Sequence, residues 1–194
     1  MANTTLQDKM KLAATSFASN DFSAALTRFQ ECLEMTTNEK ALRIIQTNIG
    51  ATYQRMSKFE DALKAFDSAL SYDDTYLQAL FNKGVTLKAL NKFNEALETF
   101  NKVLVSNSTY YPALCGKCEV LCSLDQFDDA LETVNAAIEV EPNNPIGYDD
   151  RAFVYLKLKK FQLAIDDYNK FDDSNKNPEK KNLKAIATVS YTHL

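Results

Sequence analysis

The chain is expected to be all-α, built from antiparallel helix pairs stacked one on the next, and three observations point there. A five-residue phrase recurs as F-S-A-A-L, F-E-D-A-L, F-N-E-A-L, F-D-D-A-L and F-Q-L-A-I, starting at Phe22, Phe59, Phe93, Phe127 and Phe161, with the last four copies 34 residues apart. A fixed period of that length means one supersecondary unit added to itself, and it implies an extended binding scaffold before it implies a catalyst. Helix breakers are scarce: 4 Gly and 4 Pro in 194 residues, where average usage gives roughly 13 and 10. Within one period the apolar residues follow helical spacing.

The second copy displays that spacing best. Ile45, Ile49, Tyr53 and Met56 form one stripe on a helix that ends near Met56. Ser57 and Lys58 then make the turn, and a second stripe runs through Phe59, Ala62, Leu63, Phe66, Ala69 and Leu70. Neither helix buries its stripe alone, so the two pack antiparallel and stack on the next pair. The recurring Ala at 25, 62, 96, 130 and 164 has a steric reading. A methyl group at a helix crossing lets the two axes approach, and a neighbouring large side chain fills the adjacent groove.

These residues resemble the tetratricopeptide repeat family, whose 34-residue pattern reads W-x2-L-G-x2-Y, then A-x3-F, then P. The first repeat, 6–39, offers Leu12, Ala13, Ala25 and Phe29, but Ser16 stands where Tyr is usual and three extra residues follow. The second, 43–76, matches with Ile49, Gly50, Tyr53, Ala62 and Phe66, and the third, 77–110, with Gly84, Leu87, Ala96 and Phe100. The fourth, 111–144, keeps Leu121, Ala130 and Pro142 but puts Cys118 in place of the small Gly and Val134 in place of Phe. The fifth, 145–173, shows Tyr148, Ala152, Tyr155, Ala164 and Tyr168. After the break D-D-S-N-K-N-P, residues 178–189 are expected to form a capping helix or the start of a sixth repeat. The terminal V-S-Y-T-H-L matches the in-frame translation of a sequencing-adapter end, so 190–194 are read as a non-native tail and the chain as part of a longer protein. The resemblance implies a right-handed superhelical solenoid of five repeats.

Composition excludes several functions. A net charge of −4 with no basic stripe argues against nucleic-acid binding, which displaces counterions from phosphates with clustered cations. No stretch approaches the ~20 apolar residues of a membrane span, and the N-terminus lacks the apolar run of a signal peptide, which places the chain in the cytoplasm or nucleoplasm. Four cysteines, three of them clustered, form no spaced disulfide framework.

Catalytic chemistry finds little to work with. His193 is the single histidine and lies in the suspect tail, so neither a Ser-His-Asp nor a Cys-His set is available. The acidic pairs Asp73-Asp74, Asp128-Asp129, Asp149-Asp150, Asp166-Asp167 and Asp172-Asp173 are expected mostly in turns or on exposed helix faces. Cys115, Cys118 and Cys122 share a helix face and would suit zinc or an iron–sulfur cluster, but a fourth ligand is missing. The plainer reading makes them small core side chains. We expect no enzyme activity and no cofactor.

The resemblance also locates a binding surface, because in this family the first helices of successive repeats line a concave groove. Transferred position by position, it contains Lys11, Phe17, Thr47, Asn48, Gln54, Arg55, Phe81, Asn82, Val85 and Lys88, then Cys115, Glu119, Cys122, Asp149, Asp150 and Phe153. Asn48 and Asn82 hold the same position in adjacent repeats and resemble the start of an asparagine ladder that holds an extended peptide backbone, though Gly116 and Asp150 occupy the next rungs. An amide donates and accepts at once, which suits a peptide group whatever its side chain. Lys11, Arg55 and Lys88 make the first part of this surface basic, and Glu119, Asp149 and Asp150 make the latter part acidic. A carboxylate clamp for chaperone tails is not expected: of its five positions, holding Met10, Ala14, Asn48, Gln78 and Asn82 here, only Asn48 matches.

The expected function is a non-enzymatic scaffold that binds an extended peptide or helix of a partner protein for multiprotein assembly. The alternative is a targeting module of a longer enzyme, such as a phosphatase, isomerase, ligase or glycosyltransferase. Self-association through exposed faces of the stack is a third possibility.

Overall fold

The structure is a computed structural model that describes residues 5–170 and 183–189. Every regular element among them is an α-helix: α1 Leu6–Ala18, α2 Phe22–Glu34, α3 Glu39–Arg55, α4 Phe59–Tyr72, α5 Leu77–Ala89, α6 Phe93–Ser106, α7 Tyr111–Ser123, α8 Phe127–Val140, α9 Pro145–Lys157 and α10 Phe161–Lys170. An eleventh helix, α11, covers 183–189. The remainder of the expected capping segment, 178–182, and the tail 190–194 lie outside the described residues. The chain forms two compact units that divide between Ser106 and Asn107.

All five recurring phrases begin a second helix, with Phe22, Phe59, Phe93, Phe127 and Phe161 as first helical residues. The turn before each is the same device. Asn20, Ser57, Asn91, Asp125 and Lys159 adopt left-handed backbone with φ of 57–61°, just past the end of each first helix. After α3 the Lys58 N–H returns to the Tyr53 carbonyl at 2.9 Å and the Ser57 N–H to that of Gln54 at 2.9 Å, the paired bonds of a Schellman motif. The other four turns repeat both bonds, for example Lys92 to Leu87 at 2.9 Å and Asn91 to Lys88 at 3.0 Å. The residue closing the motif then caps the next helix, and its carbonyl receives the N–H of the recurring alanine, as from Ala62 to Lys58 at 3.0 Å. The short link from Met56 to Lys58 thus suffices to reverse the chain.

In the first unit, Ala25, Ala62 and Ala96 are fully buried beside Phe29, Phe66 and Phe100. Gly50 and Gly84 sit under the Phe66 and Phe100 rings, where a Cβ would come within 2.5 and 2.8 Å of the nearest ring atom. Ser16 replaces the usual tyrosine with a hydrogen bond: its hydroxyl accepts from the Arg28 guanidinium. The helix α3 starts at Glu39, ahead of the repeat counted from Arg43, because the extra residues extend it. Asn38 caps it by accepting the Ala41 N–H at 3.1 Å, and Glu39 favours the positive N-terminal end.

In the second unit, Ala130, Ala164, Val134 and Tyr168 take the equivalent buried places. Ala187 of α11 joins Ala152, Ala164 and Tyr168 in one cluster, with Leu183 packed against it. Arg151 of α9 ties three helices together. Its Nε and Nη2 donate to the two Asp167 carboxylate oxygens at 2.7 and 2.8 Å, and Nη1 donates to Asn135 Oδ1 at 2.9 Å. Asp167 is therefore buried and paired, an exception among acidic pairs expected mostly in turns or on exposed helix faces. The periodic burial of Ala164, Asp167 and Tyr168 on α10 is the physical reason.

Candidate functional site: the first-helix faces

In the first unit the helices α3 and α5 touch and carry Asn48 and Asn82, both partly buried. Other polar groups around them are committed to the scaffold. Thr47 is buried and donates to the Arg43 carbonyl at 2.7 Å, so it is not a surface contact as its position implied. The Thr52 and Thr86 hydroxyls donate to the carbonyls of Asn48 and Asn82 at 2.7 and 2.8 Å. Gln54 bridges the two helices, its Nε2 donating to Asn82 O at 3.1 Å and Thr86 Oγ1 at 2.6 Å. By contrast, the side-chain amides of Asn48 and Asn82 make no hydrogen bond among the described residues.

The neighbouring positions divide in the same way. Arg55 lies over the Phe17 and Phe22 rings at 5.8 and 5.5 Å and donates to Asn20 Oδ1 at 3.3 Å, so it braces the α1–α2 turn. Phe17 and Phe22 themselves meet edge to face at 5.7 Å. Lys11 is exposed, whereas Phe81, Val85 and Lys88 are partly buried on α5. The Phe81 ring lies 6.2 Å from that of Phe100, which holds it against the second helix.

In the second unit five of the six positions expected from the sequence come together, and Cys115 is not among them. Glu119 and Cys122 of α7, Asp149, Asp150 and Phe153 of α9, and Tyr168 of α10 line one cleft of about 570 Å³, together with Leu183. Asp149 and Asp150 are partly buried, a second departure from the solvated reading of the acidic pairs. Lys157, missed by position counting, also lines the cleft, with its ammonium 5.2 Å from the Phe153 ring centre. Tyr168 is a packing residue by its place in the repeat. It is 1% exposed, yet its hydroxyl has no hydrogen-bond partner among the described residues.

Burial, reinforced by the charges of Asp149 and Asp150, holds the Tyr168 phenol protonated well above the usual range. The Cys115 thiol is pushed up to about 12, chiefly by burial, with Asp150 and Glu119 adding to it. The Cys118 and Cys122 thiols act on each other, which raises Cys118 and lowers Cys122. Cys115 and Cys118 are buried and Cys122 is partly so. Among the described residues no group of three or more His, Cys, Asp or Glu is arranged to hold a metal ion. Nor is any described helix long and apolar enough to cross a membrane.

The family model described as tetratricopeptide repeat matches residues 47–112. A tetratricopeptide repeat protein from Parabacteroides merdae ATCC 43184 superposes with a TM-score of 0.85 at 16% identity, over 96% of this chain and 73% of that one. A thermophilic tetratricopeptide-repeat protein from Thermus thermophilus gives 0.66 at 19% identity, over 97% and 100%. The chain has the tetratricopeptide-repeat fold. MamA from Desulfovibrio magneticus RS-1, from residue 41 to its end, matches this chain with a TM-score of 0.75 at 17% identity, over 84% and 93%. At such identities the likeness speaks for the fold. Comparison with curated protein sequences gives no match. Tetratricopeptide repeats are in general protein-interaction scaffolds, since stacked units create long continuous surfaces.

Proposed function

We propose that this tetratricopeptide-repeat chain is a non-enzymatic interaction module that takes an extended segment or helix of a partner protein along its first-helix faces and serves multiprotein assembly. The observation that carries this reading is the contrast at Asn48 and Asn82. Their amides stay available on touching helices while Thr47, Thr52, Gln54 and Thr86 around them are hydrogen-bonded into the scaffold. Each amide supplies one donor group and one acceptor, the complement of a peptide unit. One net hydrogen bond per amide, worth roughly 0.5–1.5 kcal/mol, gives on the order of 1–3 kcal/mol for the two.

Affinity capture with the full chain, run in parallel for the parent and the Asn48→Ala/Asn82→Ala variant, tests it. The variant should recover its direct partner about 10- to 100-fold less efficiently at equal loading, with an unchanged circular dichroism spectrum. Equal recovery of every partner by both forms would remove these amides from the binding surface.

A further inference from the structure

The cleft of the second unit has a chemistry unlike that of the Asn48–Asn82 face. Among the described residues that line it, Glu119, Asp149 and Asp150 are carboxylates and Lys157 carries an ammonium. Its wall also holds the Tyr168 hydroxyl, 1% exposed and without a hydrogen-bond partner among the described residues. Buried hydroxyls are nearly always bonded, and one that is not points to a missing partner. A phenol also accepts hydrogen bonds, so a donor-rich group entering among these carboxylates would satisfy it. Phe153 adds an aromatic wall.

A metal ion does not suit this set, because no described group of three or more ligands is arranged for one. A lysine ammonium suits it less well than a guanidinium. The ammonium is a compact and strongly hydrated charge, whereas the guanidinium is planar, sheds water more easily, offers five donors and packs on aromatic faces. Acceptors on both α9 and α10 match a ligand that donates in several directions within one plane.

We propose that this cleft receives an arginine side chain of the bound partner segment, with Asp149 and Asp150 accepting its charge-assisted hydrogen bonds and the Tyr168 hydroxyl accepting a further one. The identity of the donor as part of a partner segment rests on the interaction-module reading above. The pocket itself is tested without any partner.

The isotope-labelled full chain is titrated with N-acetyl-arginine methylamide and, separately, with its neutral citrulline counterpart, following the amide resonances by NMR. The arginine probe should shift residues around Phe153 and Tyr168 and bind at least about 10-fold more tightly than citrulline, because only the former is charged. Asp150→Asn should remove most of that preference. Tyr168→Phe should weaken the arginine probe by about 5-fold while leaving the spectrum otherwise folded. Asp149→Asn provides a second charge test should Asp150→Asn disturb the fold. Equal binding of both probes, no shifts in the cleft, or an arginine preference that survives both aspartate changes would overturn the pocket. If the arginine probe binds while the Asn48/Asn82 variant keeps all its partners, the pocket stands and the amide-face reading fails; the converse result separates them the other way.

Discussion

Replacing Gly50 with alanine should destabilise the protein, although the same change in a helix interior ordinarily stabilises by about 1 kcal/mol. Gly50 has ordinary helical backbone, so its role is one of space. A Cβ placed there lies 2.5, 2.7 and 2.8 Å from Cε1, Cδ1 and Cζ of Phe66, whose ring is fully buried. Carbon atoms pack best at about 3.5–4.0 Å, so the ring must retreat by roughly an ångström into an occupied core. Overpacking of that kind costs about 1–3 kcal/mol, and subtracting the helix gain leaves a net loss of about 1 kcal/mol. Gly84 is less tight, with its nearest distances to Phe100 at 2.8, 3.0 and 3.1 Å, so Gly84→Ala should cost less. The decisive comparison is a cycle with Phe66→Leu, which deletes Cε1 and Cζ. In that background Gly50→Ala should become neutral or stabilising, a coupling of about 1–2 kcal/mol between contacting sites. Urea unfolding followed by circular dichroism measures all four proteins. A higher midpoint for Gly50→Ala in the parent, or the same effect in both backgrounds, would refute the close-approach argument.

Two further changes probe the turns and the buried ion pair. Ser57→Gly should raise the thermal midpoint, since left-handed backbone costs an ordinary residue about 1–2 kcal/mol, partly offset by the greater freedom of unfolded glycine. Asn91→Gly should gain less, because asparagine enters that region more readily; a larger gain at Asn91 in thermal melts would contradict the assignment. Arg151→Lys should cost about 2 kcal/mol in urea unfolding, because an ammonium cannot reproduce the two parallel bonds to Asp167 together with the bond to Asn135. Unchanged stability would mean that the network is not what joins α8, α9 and α10.

The helix pairs were legible because packing repeats. Each F-x-x-A-L phrase meets the same demand, an aromatic first residue and a small side chain at the crossing, so identical solutions recur at positions such as Ala62 and Ala96. The turns were half legible. Ser57-Lys58 could be placed, but Asn20, Ser57, Asn91, Asp125 and Lys159 share a backbone conformation and not a residue type, and the usual marker, glycine, is absent from all five. The early start of α3 had a signal in the Asn38-Glu39 pair, an N-cap followed by an acidic first turn. Asp128 and Asp129 are exposed, whereas the spacing of Asp167 from Ala164 and Tyr168 puts it on the buried stripe.

The binding surface was legible in position and not in use. Counting along the repeat selects Thr47, Asn48, Gln54 and Arg55 with equal weight, and all four are polar. Only the structure separates them, since Thr47 bonds its own helix, Gln54 crosses to α5, Arg55 covers two aromatic rings, and the Asn48 amide makes no such commitment. The same separation applies in the cleft, where Tyr168 occupies a core position by sequence yet carries a hydroxyl without a hydrogen-bond partner among the described residues. A polar side chain near a surface is informative in proportion to what remains of its hydrogen-bonding capacity after folding. For a scaffold whose partners recognise it through the residual groups, that remainder depends on contacts between helices, and such contacts join residues far apart in the chain, as between Gln54 and Thr86.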